Sequence, residues 1–217
     1  MIIVKDNFFK DPYAVRSIAL KQKYDNITSN YPGLRSFSVP DRIEDYILSQ
    51  VKHFANDPYL VLQGASFQYV NQDYAEGIFH HDECQYTCVI YLTPNPPADS
   101  GTEVCDLDQT EDNIWDNKRQ IRFDHYADPR NLIKRYKYGR ILRKVNSHYR
   151  PILKLQNRFN RCVIFDGPAY HRAQKFFGTS VKDSRLTIAA FLWYKSPPSE
   201  TKRWALSLPN NSPFSLA

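Results

Sequence analysis

The chain has 217 residues, 42% of them hydrophobic and 14% aromatic, with 24% charged residues and a net charge of +6. That length fits one large domain or two small ones, and the composition suffices for a real core. No apolar run reaches the roughly 18 residues of a membrane span, and Lys5, Asp6, Lys10 and Asp11 interrupt the apolar stretch that a signal peptide requires.

Four cysteines (Cys84, Cys88, Cys105, Cys162) without a framework spacing suit a reducing compartment, so the expected location is cytoplasmic. Cys84 and Cys88 have a spacing that zinc sites use, but no second Cys or His pair completes one. The charge is uneven. Between Lys118 and Arg161 there are 14 Lys/Arg and 2 Asp/Glu, a local balance of +12, which leaves −6 for the rest.

In chain order, residues 2–9 read as a short strand and a turn. Asp11-Pro12 supplies a cap and first residue for a helix over 12–24 with Val15, Ile18 and Ala19 at helical spacing. Pro32-Gly33 marks a turn. A second helix starts after Pro40-Asp41, with Ile43, Tyr46, Ile47 and Val51 on one face. From Leu60 the period changes to that of strands, at 60–70, 86–93 and 102–107. Residues 128–145 read as a basic helix starting at Asp128-Pro129, with Gly139 as a weak point. Strands return at 151–156, 161–165 and 185–194, and the tail from 195 is rich in Pro, Ser and Asn.

This order predicts an α+β fold. It has a double-stranded β-helix (jelly-roll) core, N-terminal helices packed on one sheet and a basic helical insertion over about 118–150. One domain over 1–217 is expected, with helical support in 1–59, the core in 60–194 and a tail in 195–217.

The segment 78-IFHHDECQYTCVIYL-92 carries the most informative pattern, His80-x-Asp82. On an extended strand His80 and Asp82 share a face and His81 points the other way. Were His81 the ligand, Asp82 would face away from it. Together with a distant His, such a pair forms a 2-His-1-carboxylate triad with open coordination positions. His171 is the candidate, just after the strand 161–165 and the Asp166-Gly167-Pro168 turn. Further on, Arg185 and Thr187 share a strand face and suit the distal carboxylate of a dicarboxylate. Plainer readings compete: a surface His-Asp pair, a structural His171, an Arg185 paired with Asp183, and Tyr91 as core. His53, His125 and His148 have no partner spacing.

The pattern resembles the Fe(II)/2-oxoglutarate-dependent oxygenases, in particular the prolyl 4-hydroxylase-like branch. The matching pieces are Gly77…His80-x-Asp82, Val89-Ile90-Tyr91-Leu92-Thr93, Gly101-Thr102, His171 and Arg185-Leu186-Thr187, within roughly 60–194. Residues 7–20 and 31–36 also look like a group of bacterial and phage oxygenases of unknown substrate. The resemblance implies His80, Asp82 and His171 as ligands of Fe(II), with 2-oxoglutarate as cosubstrate and O2 as oxidant. Arg185 would bind the C5 carboxylate, with hydrogen bonds from Tyr91 and Thr187 and Tyr69 as a weaker member of the pocket. The gap from His171 to Arg185 is longer than usual in that branch, which leaves Lys182 as an alternative anchor, and a Gly-Gly-Glu-Thr turn appears only as Ser100-Gly101-Thr102-Glu103.

The expected function is thus hydroxylation of an unidentified peptide side chain, nucleobase or metabolite. A non-catalytic jelly-roll module and a zinc hydrolase with the same triad are the rivals. The 118–161 segment is either a solvated helix, packed through Ile133, Tyr136, Ile141, Leu142 and Val145, or a nucleic-acid face. In the second case Tyr126, Tyr136, Tyr138 and Tyr149 would stack on bases.

Overall fold

The computed structural model describes residues 1–25, 31–74, 77–105 and 129–195. In chain order the elements are β1 (Ile2–Lys5), α1 (Pro12–Leu20), β2 (Leu34–Arg35), α2 (Asp41–Ala55), β3 (Leu60–Val70), β4 (Tyr86–Tyr91) and β5 (Thr102–Cys105). They continue as α3 (Leu132–Asn146), β6 (Pro151–Leu155), β7 (Cys162–Asp166), β8 (His171–Ala173) and β9 (Arg185–Tyr194). This is an α+β fold.

Local chemistry sets the helices. Asp11 accepts a hydrogen bond from the Ala14 amide at 2.9 Å, and Pro12 fills the first helical position, where no amide donor is needed. Lys21 and Gln22 donate to Ile18 and Ala19 three residues back, and this tightened turn ends α1 at Leu20, four residues short of the expected span. Ile43, Ile47 and Val51 recur every four residues on α2 and are all buried. The start of α3 departs from expectation. Asn131 caps it, accepting from the Lys134 amide at 3.1 Å, Pro129 lies in the turn before it, and Asp128 is outside the described residues. Gly139 sits buried within α3 and does not break it.

The strands form two antiparallel sheets, one of six strands in the order β1-β7-β4-β9-β3-β2 and one of three in the order β6-β5-β8. Side-chain alternation gives the large sheet two faces with different tasks. Phe67, Cys88, Ile90, Ile164, Leu186, Ile188 and Leu192 pack with Val15 and Ala19 of α1 and Ile43, Ile47 and Val51 of α2. On the other face, Tyr91, Val163 and Phe165 meet Val104 and Leu155 of the small sheet. The expected helical support on one sheet is therefore present.

Cys88 and Cys162 belong to the helix-side core with their sulfurs 3.4 Å apart, whereas Cys84 lies beside Thr87, so the Cys84/Cys88 spacing makes no common site. All four cysteines are free thiols. On α3, Leu142 is buried and Val145 is half-buried, but Ile133 and Tyr136 are 82% and 67% exposed. The expected packing stripe therefore holds only in the C-terminal half of that helix. Among the described residues no helix is long and apolar enough to cross a membrane.

Candidate active site

His80, Asp82 and His171 converge, with one ligating atom of each within 4.8 Å of the others. Nε2 of His171 is 3.3 Å from one Asp82 oxygen, and Nε2 of His80 is 3.8 Å from the other. The backbone explains the convergence. His80 and His171 exchange both amide–carbonyl hydrogen bonds, at 3.0 and 2.8 Å, and the Asp82 amide donates to the Gly167 carbonyl at 2.8 Å. Two glycines permit this closeness: a Cβ on Gly77 would collide with the Ala173 backbone, and one on Gly167 with the Cys84 carbonyl.

The expected strand over His80–Asp82 is absent. It shrinks to this single bridge, because the next amide, at Asp82, is taken by the β7–β8 turn and not by a neighbouring strand. The predicted division of directions nevertheless holds. His81 turns away and packs edge-on against Tyr170, with ring centroids 5.3 Å apart.

Both histidines are oriented for coordination. Nδ1 of His80 lies 2.9 Å from the Ile78 carbonyl, and Nδ1 of His171 lies 2.9 Å from the Ala169 carbonyl. A carbonyl only accepts, so each Nδ1 carries a proton, and Nε2, which faces Asp82, is the nitrogen left to bind a metal. Burial pushes the Asp82 carboxyl up, but His171, His80 and the Thr87 hydroxyl, which donates at 2.6 Å, together hold it well below the usual carboxylate range. Two imidazole nitrogens and an ionised carboxylate oxygen suit Fe(II). Metal bonds of about 2.1 Å at right angles place ligand atoms roughly 3 Å apart, close to the two separations found here. The residues present fit a metal.

Arg185 lines the same cavity as the triad. It is 4% exposed, and its guanidinium donates to the Ser100 carbonyl at 3.1 Å and to Thr102 Oγ1 at 3.4 Å. Among the described residues no carboxylate pairs with it. Asp183, its plain alternative partner, is engaged by Thr179 and Ser180. Burial pushes the Arg185 pKa down. A buried guanidinium with only neutral acceptors is costly, and an anion entering the cavity would offset that cost. Lys182, the alternative anchor, is exposed and does not line the cavity.

The remaining sequence candidates divide by strand parity. Tyr91 and Thr187 are partners across β4 and β9 and are fully buried next to the cavity. Tyr91 bonds to Thr102 through its hydroxyl at 2.7 Å, and the Arg185 guanidinium lies 5.4 Å from its ring centroid. Thr187 donates to the Gln68 carbonyl at 3.4 Å. Tyr69 is a correction. It shares parity with Phe67, so it lies on the helix side with its ring 5.0 Å from Tyr24, and Gln68 and Val70 line the cavity in its place.

A family profile described as a family of unknown function, DUF6445, matches residues 1–192. The chain belongs to this family. Among curated proteins, no relative is detected by sequence.

Solved structures share the fold at low identity. HygX from Streptomyces hygroscopicus, crystallised with nickel, 2-oxoglutarate and hygromycin B, is 12% identical with a TM-score of 0.55, over 89% of this chain and 83% of HygX. The non-heme alpha-ketoglutarate-dependent epimerase SnoN from nogalamycin biosynthesis is 13% identical with a TM-score of 0.54, over 100% of this chain and 88% of SnoN. AviO1 from Streptomyces viridochromogenes Tue57 is 12% identical with a TM-score of 0.55, over 91% of both chains.

Three site features escaped the sequence reading. Thr87, on the opposite face of β4 from Tyr86 and Cys88, bonds Asp82. Thr102 bonds both Arg185 and Tyr91. Arg35 also lines the cavity. The first was readable as the only aliphatic hydroxyl in a run of six strand residues; the other two depend on how distant segments meet.

Proposed function

We propose that the protein is a non-haem Fe(II), 2-oxoglutarate-dependent oxygenase, a hydroxylase of the prolyl 4-hydroxylase-like branch built on a double-stranded β-helix. The observation that carries this reading is the buried Arg185, with no carboxylate partner among the described residues, in one cavity with the His80–Asp82–His171 triad. A zinc hydrolase needs the triad but has no use for an internal carboxylate anchor, and a non-catalytic module needs neither. The fold shared with HygX and SnoN, one crystallised with 2-oxoglutarate and the other alpha-ketoglutarate-dependent, supports the same choice.

In this reading His80, Asp82 and His171 hold the iron, and Arg185 receives the C5 carboxylate of 2-oxoglutarate. When bound, the iron supplies oxidative decarboxylation of 2-oxoglutarate by O2, which yields succinate and CO2 and oxidises the substrate. The Ile78 and Ala169 carbonyls fix both imidazoles in the tautomer that binds metal, and Thr87 holds the carboxylate ionised. Tyr91 and Thr102 brace the guanidinium so that it enters the cavity as a fixed cation. Val89, Phe176 and Phe191 supply apolar walls that limit water.

Arg158 and Arg161 pair with Asp6, and Lys154 with Glu103, so these three basic residues are engaged within the protein. The test is succinate formation from 2-oxoglutarate by protein reconstituted with Fe(II) in air. Turnover that needs both iron and Arg185 is the expected result. Zinc-dependent hydrolysis indifferent to Arg185→Gln overturns the reading.

A further inference from the structure

One buried polar side chain on α3 has no part in the chemistry described so far. Asn146 is the last residue of that helix, on the same buried face as Gly139 and Leu142, and it is 6% exposed. Its carboxamide grips the chain just before His80 at two points. Nδ2 donates to the Gly77 carbonyl at 2.9 Å, and Oδ1 accepts from the Phe79 amide at 3.1 Å. Gly77 and Phe79 are themselves buried, so both backbone groups are bonded away from water.

Backbone alternation explains why a carboxamide is needed there. His80 directs its N–H and C=O to His171, along the edge of β8. Gly77 and Phe79 direct theirs to the opposite edge, where no strand lies among the described residues. With a donor and an acceptor on one planar group, Asn146 takes the place that a further strand would fill. The connection to the triad then runs through a single peptide group. The Phe79 N–H and the Ile78 C=O belong to the same planar trans unit and point opposite ways. One end is bonded to Asn146, and the other lies 2.9 Å from Nδ1 of His80. Turning that plane breaks both contacts and swings the carbonyl off the imidazole. The Phe79 ring, stacked on Tyr149 with centroids 5.0 Å apart, anchors the chain but leaves the tilt of the plane to the carboxamide.

We propose that Asn146 is a positioning residue of the metal centre, which aims the His80 imidazole by fixing the Ile78–Phe79 peptide plane from α3. It acts through the backbone and touches neither metal nor substrate. The inference rests on His80, Asp82 and His171 as a metal site, but not on the use of 2-oxoglutarate.

The test uses the full chain with Co(II) as a spectroscopic stand-in for Fe(II). It reads the Co(II) affinity, the visible absorption bands at saturating cobalt, and the melting temperature of the metal-free protein. Asn146→Ala is expected to weaken Co(II) binding about tenfold, the lower end of what an orienting partner contributes to a metal site, and to shift the bands at saturation. Leu142→Ala removes packing from the same face of α3 but no hydrogen bond to 77–79. It should lower the melting temperature at least as far, with affinity and bands as in wild type. Asn146→Ser, whose hydroxyl can keep one of the two bonds, should fall between Asn146→Ala and wild type, and it decides the matter if Asn146→Ala does not fold. Wild-type affinity and bands in the Asn146 variants overturn the proposal. So does a Leu142→Ala variant that loses cobalt as Asn146→Ala does, because helix packing and not the carboxamide would then set the site. A wild-type chain that takes up no cobalt overturns it together with the metal centre. A chain that binds cobalt but forms no succinate with Fe(II) and 2-oxoglutarate fails as an oxygenase alone, and the cobalt readouts still decide the role of Asn146.

Discussion

The two faces of the six-stranded sheet come from the same strands yet obey opposite rules. On β9, Leu186, Ile188, Ala190 and Leu192 point to the helices and are at most partly substitutable packing, while Arg185, Thr187, Ala189 and Phe191 point to the small sheet. On β4, Cys88 and Ile90 face the helices, and Thr87 and Tyr91 face the site. The helix side is held mainly by apolar contact. The cavity side accepts a buried cation with no carboxylate partner among the described residues and a half-buried carboxylate between two imidazoles. A sheet can tolerate that second face because the first one, with its uninterrupted packing on α1 and α2, supplies the stability.

Substitutions on the two faces should therefore fail in different ways. The largest effect is expected for His171→Ala, which should abolish Fe(II) binding and succinate formation while the melting temperature of metal-free protein stays close to wild type. A folded variant that still binds iron with wild-type affinity breaks the distinction, since it removes His171 from the metal centre.

The reverse is expected on the helix side. Ile164 is fully buried between β1 and β4 within the helix-side core. Ile164→Ala should cost about 2–5 kcal/mol of stability in denaturant unfolding, with iron affinity unchanged in the protein that remains folded.

Arg185→Met joins the two criteria in one residue. It should weaken 2-oxoglutarate binding by about 2–4 kcal/mol, the scale for stranding one partner of a buried charged contact. The ligand-free protein, relieved of a buried cation with neutral acceptors only, should be as stable as wild type or more so. Thermal melts with and without metal and 2-oxoglutarate read both quantities, and a destabilised ligand-free variant would make Arg185 a structural residue.

The smallest effect is assigned to Tyr69→Phe. Tyr69 is on the helix side against Tyr24, so 2-oxoglutarate affinity should not change. A measurable loss would mean that the division of the sheet by parity leaks at its β3 edge.

Much of this was legible in the residues, and the failures are local. Strands β3, β4, β7 and β9 announce themselves as β-branched and aromatic runs bounded by turn residues, and α2 by apolar residues every four positions. β2 and β8, at two and three residues, are too short to leave a period. Tyr69 shares the parity of Phe67, whose burial fixes the two faces of the strand, and this puts it on the helix side. Ile133 and Tyr136 satisfy a helical stripe that packs on nothing among the described residues. A pattern shows which side of a helix is apolar, not whether a partner is there to cover it.

By itself the sequence determined which candidate donor side chains lie close along the chain and the directions they take. His-x-Asp puts two donors on one side of an extended chain whatever surrounds it, and Arg185 and Thr187 share a face for the same covalent reason. Only the tertiary structure decided the distances and the charges. His171 reaches His80 because their backbones pair across 91 residues, Arg185 has no carboxylate partner among the described residues while Asp183 is engaged by its own turn, and Arg35 enters the cavity from an edge strand. Each of these depends on which segments meet in space and on what dielectric surrounds them, and local periodicity carries neither.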